Sequence, residues 1–281
     1  MPIYDQGYRR YEVRAPLRRL RSWPITREAL RLILVKRAFL GLLVVSFLPF
    51  LIRVGQIYVV TRFPEAGRML PVDGRLFGEF LNQQIFFTIL LSIFGGAGLI
   101  ANDLRTGAIL VYLSRPLTRR DYALGKLGVL LALNLAVTLV PGLLLYAVAL
   151  GLAPEPFLHW SQGWIGPAIV VHAFVISVVV SFVALAVSAL TRSARVAGLA
   201  FFGLVFGLEL VRVVLQQGFG RREAMLLSLQ ADLQAIGQAL FGLPPTGPSL
   251  HWTWPVLVLV LAGLACVGVL RSRVRAVEII T

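Results

Sequence analysis

Apolar and polar residues follow one another along this chain in long blocks. Six apolar stretches each have roughly the 20 residues that an α-helix needs to cross a bilayer, at positions 38–60, 80–101, 123–150, 165–190, 196–215 and 254–270. This pattern predicts an all-α fold, a polytopic bundle of six transmembrane helices. Residues 38–270 then form one membrane domain, between an N-terminal segment of residues 1–37 and a tail of residues 271–281.

The N-terminal segment carries ten Lys and Arg residues, and its second half is amphipathic. Residues 26–37 place Ile33 and other apolar side chains among four basic ones. This mixture is typical of an interface helix that lies along a membrane surface, with Thr26 as its N-cap. A cytoplasmic extension of the first span is the alternative interpretation.

A second amphipathic stretch lies in the connection of residues 216–253. Its apolar residues recur at helical spacing, at Leu226, Leu229, Leu233, Ile236 and Leu240. Its polar residues, Gln230, Asp232, Gln234 and Gln238, fall elsewhere around the helix. The pattern predicts an external helix between the fifth and sixth spans, ended by Gly242 and resting on the outer rim.

Charge gives the orientation. The chain is 58% hydrophobic and only 14% charged, with a net charge of +14. Segments 1–37, 102–126, 191–195 and 271–281 hold 20 of the 27 Lys and Arg residues, whereas the connections on the other side hold five. The positive-inside rule therefore predicts a multi-pass protein of the plasma membrane with both termini in the cytoplasm. Basic clusters beside spans are typical of contact with membrane lipids, and they do not favour nucleic acid as a partner.

The segment of residues 102–126, between the second and third spans, contains five Lys and Arg residues. It cannot lie in lipid, because each cation would cost about 2.5–3.5 kcal/mol at the centre of a span. Asp103 and Thr106-Gly107 predict a turn, and residues 109–116 predict a short amphipathic helix that stops at Pro116. Such a helix across the inner face is a docking surface for a soluble partner.

Residues with catalytic or metal-binding chemistry are sparse. His159, His172 and His251 are scattered, without a second ligand at metal-like spacing. Gly125-Lys126 does not belong to a phosphate-binding loop, since residue 120 is Arg and residue 127 is Leu. The chain is therefore not expected to be an enzyme or to bind a cofactor itself. If a nucleotide drives it, another chain binds that nucleotide.

Two charges inside the fifth span, Glu209 and Arg212, are three residues apart and share one helix face. They are expected to pair, which lowers the cost of burying either charge. Two interpretations of the pair remain open. Arg212 reaches the outer interface with Glu209 as its partner, or the pair contributes to a substrate pathway. Arg53 in the first span can reach the outer interface in the same way.

Small residues within the spans indicate where helices pack closely. The glycines of residues 95–98 allow close helix contact, or a flexible joint next to the cytoplasmic segment. Asn134 in the third span and Ser177, Ser181 and Ser188 in the fourth favour hydrogen bonds between helices.

The cytoplasmic segment resembles that of ABC-2 type ABC transporter permeases. In order, the residues that carry the resemblance are Ile100, Asp103, Gly107-Ala108, Leu110, Leu113, Ser114-Arg115-Pro116, Arg119 and Gly125-Lys126. The basic interface helix, six spans and external helix match the family layout too. The sequence departs from the family pattern at Ala108, where Thr or Ser is usual, and at Asn102-Asp103, where glutamates are commoner.

The resemblance implies a permease subunit, an exporter that encloses its pathway as a homodimer or heterodimer. A separate cytoplasmic ATPase, holding ATP and Mg, would dock on each half. The residues implied for this coupling are Asp103, Arg105, Gly107, Pro116 and Arg119, with Glu209 and Arg212 in the pathway or its packing.

Two other classes of function remain as alternatives. A six-span scaffold would recruit a cytoplasmic protein without transporting anything. A membrane enzyme is disfavoured, because the spans lack clustered acids, histidines or a nucleophile with a base. The small number of polar residues in the spans favours a hydrophobic, lipid-like or peptide cargo.

Overall fold

The computed structural model describes residues 22–63, 65, 71–108, 118–152, 163–244 and 250–273. Helices dominate this part of the chain, which contains no strand, so the predicted all-α class is confirmed. In chain order the elements are α1 (Trp23–Leu34), α2 (Arg37–Val45), α3 (Leu48–Arg62), α4 (Gly74–Leu91), a π-helical segment (Ser92–Gly96), α5 (Gly98–Thr106), α6 (Arg119–Leu152), α7 (Ile165–Leu190), α8 (Ala194–Phe219), a 3₁₀ segment (Arg222–Leu227), α9 (Leu229–Leu240) and α10 (Thr253–Arg273).

Six helical runs in the described chain are long and apolar enough to cross a membrane. The fourth, Ile165–Leu190, has the bounds that its apolar stretch predicts. The second, Gly74–Thr106, and the third, Arg119–Leu152, are longer than predicted. Helical hydrogen bonding continues past the apolar residues at both ends, so the two spans extend into the polar segment that joins them.

The interface helix α1 is present, but the predicted N-cap is wrong. The helix begins at Trp23, with Ser22 at the N-cap position and Pro24 in the first turn. Proline is tolerated there because its missing N–H would have no partner in the helix anyway. Thr26 lies inside the helix, and α1 ends before the first span begins at Arg37.

The first span is broken between α2 and α3. Pro49 follows the break in the first turn of α3, where its ring cannot continue the hydrogen bonding of α2. The buried side chain of Gln84 in the second span donates a hydrogen bond to the Ser46 carbonyl at 3.0 Å. A carbonyl exposed by the break is thus satisfied from a neighbouring helix.

The second and fourth spans form the buried centre of the bundle. In their most apolar stretches, 67% and 56% of the residues are buried, compared with 11% in the first span and 17% in the fifth. Polar side chains join the central helices, as the sequence predicts. Asn134 Nδ2 donates to Ser92 Oγ at 3.2 Å and to Ser181 Oγ at 3.0 Å, and Thr138 Oγ1 lies 3.3 Å from Ser177 Oγ.

Ser188 links the fourth span to the start of α5. After the π-helical segment, the backbone N–H groups of Ile100 and Ala101 both donate to Ser188 Oγ at 3.1 Å. The same hydroxyl donates to the Ala97 carbonyl at 2.7 Å. One buried side chain therefore serves three backbone groups of the second span.

The external helix α9 begins with Ser228 as its N-cap, and Gly242 follows its end with a φ of 63°. This helix, expected to rest on the outer rim, packs against α4, α7, α8 and α10. The helical spacing predicts that Asp232 lies on the polar side of the helix. This prediction is wrong, because Asp232 is only 1% exposed. Helices cover α9 on more than one side, so it buries more than its apolar stripe.

We predict that Ser188→Ala destabilises the protein by about 1–3 kcal/mol, because it leaves buried N–H groups of α5 without an acceptor. Thermal unfolding in detergent measures the change. Ser272→Ala is the matched control, since Ser272 is exposed and its hydroxyl bonds only within α10, to the Val269 carbonyl at 2.9 Å. Equal melting temperatures for the two variants would contradict the role of Ser188.

Candidate functional site

An ion pair that is largely shielded from solvent joins the ends of the second and third spans that face each other along the chain. Lys126 Nζ lies 2.7 Å from Asp103 Oδ2, and the two side chains are 6% and 17% exposed. The Tyr122 hydroxyl donates to the same carboxylate oxygen at 2.8 Å. Because the pair is screened from water, loss of one partner would leave the other charge buried without its neighbour.

The interface helix α1 lies directly across the start of α6. Thr26 Oγ1 donates to the Gly125 carbonyl at 2.8 Å. A Cβ at Gly125 would lie 3.0 Å from Ile25 Cβ and 3.1 Å from the Ser22 carbonyl oxygen, so glycine is what permits this close crossing. Gly125 therefore holds α1, while Lys126, the next residue, holds α5. We call these contacts of Thr26, Asp103, Tyr122, Gly125 and Lys126 the inner joint.

Both ends of the connection between α5 and α6 are capped. Gly107 ends α5 in the left-handed conformation, with a φ of 69°, which glycine adopts readily. At the other end, the Thr118 N–H donates to Asp121 Oδ2 at 3.0 Å, and the Asp121 N–H donates to Thr118 Oγ1 at 3.2 Å. This reciprocal arrangement is a capping box, which fixes the start of α6.

Three arginines are exposed beside the inner joint: Arg105, Arg119 and Arg120. None of them forms an ion pair among the described residues. Arg119 and Arg120 open α6, where the helix dipole disfavours cations. Their charges therefore cost local helix stability, and a partner with acidic groups would offset that cost.

The candidate coupling residues thus separate into two groups. Arg105, Gly107 and Arg119 lie at the surface end, whereas Asp103 lies inside α5 and its carboxylate binds within the chain. Of the turn predicted from Asp103 and Thr106-Gly107, the part at Gly107 is confirmed, whereas Asp103 lies within α5 and not in the turn. Pro116 and the short helix expected at residues 109–116 lie outside the described residues.

Glu209 and Arg212 pair as their spacing predicts. Arg212 Nε and Nη2 donate to the two Glu209 carboxylate oxygens at 3.0 and 2.6 Å. Ser228, the N-cap of α9, also donates to Glu209, and Arg212 also donates to Gln216. The pair therefore ties the outer part of the fifth span to the external helix. With Glu209 25% and Arg212 21% exposed, it remains partly accessible.

A further ion pair near the outer end was missed from the sequence. Arg53 Nη2 lies 3.1 Å from Glu79 Oε2 at the start of the second span, and Arg53 Nη1 donates to Gln56 at 2.8 Å. Arg75 reaches the other oxygen of Glu79 at 2.8 Å. The local signal was the four-residue spacing of Arg75 and Glu79, but nothing local indicated that α3 lies beside α4.

Two polar side chains, His172 and Asp232, are buried at α9, and the sequence patterns did not predict their burial. His172 Nε2 lies 3.1 Å from the Leu233 carbonyl oxygen, and its ring packs on Gly237 and edge-on to Phe241. Asp232 Oδ1 has no hydrogen-bond partner among the described residues. Burial raises the pKa of Asp232 from its usual 3.8 to about 7, because a charged carboxylate is poorly solvated there.

The geometry of the described residues suits mechanical coupling, since the inner joint connects three elements beside an exposed basic surface. No group of three or more His, Cys, Asp or Glu residues that could hold a metal occurs in the ranges described.

The chain matches a known protein family. The model of the family described as ABC-2 family transporter protein matches residues 23–257. That range includes α1, the inner joint and the external helix. A search of curated proteins finds no match.

We predict that Asp103→Asn destabilises the protein by about 3 kcal/mol, the typical effect of removing one partner of a buried ion pair. Adding Lys126→Met should recover most of this loss, since the buried cation is then replaced by an apolar side chain of similar length. Melting temperatures of the two single variants and the double variant measure the coupling. Additive losses would show that the two charges do not depend on each other.

We also predict that the protein loses stability as the pH rises from about 4 to about 7, the interval between the usual pKa of Asp232 and its raised value. In this interval the unfolded chain releases the Asp232 proton while the folded chain retains it, so rising pH favours unfolding. Asp232→Asn should flatten this part of the pH profile of the melting temperature.

Glu223→Gln is the control for Asp232→Asn, because Glu223 is an exposed acid on the neighbouring 3₁₀ segment. The assignment fails if Glu223→Gln flattens the pH profile as much as Asp232→Asn does.

Proposed function

The chain belongs to the ABC-2 family of transporter proteins. From this membership we propose how the chain works as a membrane permease subunit. It pairs with a second permease subunit, an identical or related chain, and each half receives one cytoplasmic ABC ATPase. The ATPases bind ATP and Mg, and this chain converts their closure into movement of its spans. It acts as an exporter in the plasma membrane, with both termini in the cytoplasm.

The exposed arginine pair at the start of α6 carries the coupling proposal. Arg119 and Arg120 occupy a position where the helix dipole disfavours cations. Local rules are broken in this way mostly at functional sites. An acidic surface on the ATPase would compensate both charges, and Arg105 on the neighbouring end of α5 would extend the contact.

A push on this surface has a physical route into the membrane. The capping box fixes the start of α6 beside Arg119, and the third span continues from there as one helix, with Pro141 inside it, to Leu152. The inner joint transfers the same movement to α5 through Asp103 and to α1 through Gly125. The second span, the third span and the interface helix therefore respond together.

Dimerisation is supported by the unequal burial of the spans. In the most apolar stretch of the first span only 11% of the residues are buried within one chain, and in that of the fifth span only 17% are buried. Both helices have broad apolar faces that in the membrane contact lipid or another subunit. We propose that the second subunit packs on one of these apolar faces, away from the basic end of the fifth span, so that the pathway forms between the two chains.

The cargo is proposed to be hydrophobic or amphiphilic. The polar side chains of the central spans, such as Asn134, Ser177 and Ser181, bond to one another within the chain. Glu209 and Arg212 are the partly exposed charges that we assign to the outer part of the pathway or its packing. A strongly polar solute would need more free polar groups than these.

The experiment is purification of the tagged protein from its native membrane in mild detergent, with quantification of any co-purifying P-loop ATPase. We predict that Arg119→Glu together with Arg120→Glu lowers recovery of that ATPase about tenfold, equivalent to ~1.4 kcal/mol of binding free energy. The amount of permease in the membrane fraction should not change, because both residues are exposed and outside the apolar core.

Arg271→Glu with Arg273→Glu is the control for charge at the same membrane side, since both arginines are exposed at the end of α10. Full ATPase recovery with Arg119 and Arg120 reversed would refute the docking surface. Absence of any P-loop ATPase from the wild-type preparation would instead favour a scaffold that does not transport.

A further inference from the structure

A cavity of about 890 Å³ opens between the interface helix and the inner halves of the second and fifth spans. Its walls come from α1, the π-helical segment, α5 and the first two turns of α8. It is separate from the exposed arginines assigned to ATPase docking, although its floor includes Asp103 and Lys126 of the inner joint.

One half of the cavity is apolar. Its lining there consists of Leu90, Ile93, Phe94, Leu199 and Phe202. Phe94 is 64% exposed and Leu199 is 71% exposed, so these side chains border the surrounding membrane and not only the protein interior. This half of the cavity is therefore open to the hydrocarbon chains of the bilayer.

The other half is polar and positively charged. It is lined by Lys36, Asn102, Asp103, Lys126 and Arg195. Asp103 and Lys126 neutralise each other at 2.7 Å. Neither Lys36 nor Arg195 forms an ion pair within the described ranges. The polar half thus presents two cations in excess, from two different elements, at the membrane side with most Lys and Arg.

We propose that this cavity binds one anionic phospholipid of the inner leaflet. The headgroup phosphate lies between Lys36 and Arg195, where the guanidinium can form two parallel hydrogen bonds to phosphate oxygens. An acyl chain follows Phe94 and Leu199 toward the bilayer centre. Basic pockets between transmembrane helices on the cytoplasmic side have the chemistry that selects such headgroups.

Charge complementarity selects this occupant over a second copy of the chain. A second copy would bring its own Lys36 and Arg195 to the same face, and like charges at close range repel. A zwitterionic lipid would fit the apolar half equally well, but its own ammonium group would oppose the two cations. The combination of excess cations and an opening to lipid favours a single-chain anionic amphiphile.

The position of the lipid gives it a mechanical effect. Lys36 follows α1, whereas Arg195 belongs to α8, so one phosphate would bridge the interface helix and the fifth span. Between them lies the π-helical segment Ser92–Gly96, a type of irregularity found frequently at functional sites. The bound lipid would therefore hold the interface helix and the fifth span together, and no ion pair within the described ranges does so.

This inference goes beyond the proposed transport function and does not require an ATPase.

The test uses the full chain in phosphatidylcholine nanodiscs with a trace of phosphatidylglycerol carrying a photoreactive diazirine on its acyl chain. Mass spectrometry locates the attachment sites after illumination. We expect labelling at residues 90–94 and 199–202. Unlabelled phosphatidylglycerol should displace the probe, whereas the same amount of additional phosphatidylcholine should not. Equal displacement by both lipids would overturn the proposal.

A pair of matched variants tests the headgroup site. Lys36→Gln with Arg195→Gln should lower labelling about thirtyfold, equivalent to the ~2 kcal/mol that two basic residues near a membrane surface contribute to anionic lipid binding. Arg37→Gln with Arg192→Gln removes the same charge from neighbouring exposed positions that do not line the cavity, and labelling should persist. The charge-conserving swap of Lys36→Arg with Arg195→Lys should also retain labelling and shows that the site tolerates substitution.

Equal loss in the two Gln variants would refute a specific site and indicate general attraction of anionic lipid. Labelling spread evenly over all exposed spans would refute it too. A failure of ATPase docking would leave these results unchanged, so the two proposals are tested separately.

Discussion

The ion pair between Asp103 and Lys126 is the constraint on which the arrangement of α1, α5 and α6 depends. Two opposite charges at the ends of consecutive spans can leave water together only if the spans end side by side. The pair therefore fixes the register of the second span against the third. Gly125, one residue earlier, then leaves room for α1 to cross the same turn of α6. A single turn of helix thus positions three elements, and an external force on any one of them reaches the other two.

The membrane interior is held together by a different interaction. Helices gain little hydrophobic free energy by associating in lipid, so close packing and hydrogen bonds between helices must supply the stability. The bonds of Asn134, Thr138 and Ser188 link the third span to the second and fourth spans, which form the buried centre, and link those two to each other. The first and fifth spans have few such bonds and remain mostly exposed. This difference divides the chain into a rigid centre and peripheral spans that can change neighbours at lower cost.

The sequence predicted what local patterns determine and missed what depends on contacts between distant segments. Span positions follow from apolar length, and the Glu209–Arg212 pair follows from helical spacing, so both could be predicted. The partner of Lys126 could not, because nothing local shows that residues 103 and 126 meet. Asp232 was assigned to the polar side because the amphipathic pattern assumes one covered face, whereas α9 packs against four helices. Thr26 looked like an N-cap by residue type, but its hydroxyl bonds to Gly125 on another helix.

The glycines near the inner end of the second span allowed either close packing or a flexible joint, and their surroundings favour packing. A Cβ at Gly95 would lie 3.0 Å from Phe39 of the first span, and one at Gly96 would lie 2.9 Å from Leu130 of the third. Side chains that fill these positions leave little room for independent bending. A push on the inner joint would therefore move the π-helical segment together with its neighbours, and the displacement would reach the first span through Phe39. The glycines then act in coupling by removing free space, since helices in contact transmit a displacement that a loose joint would absorb.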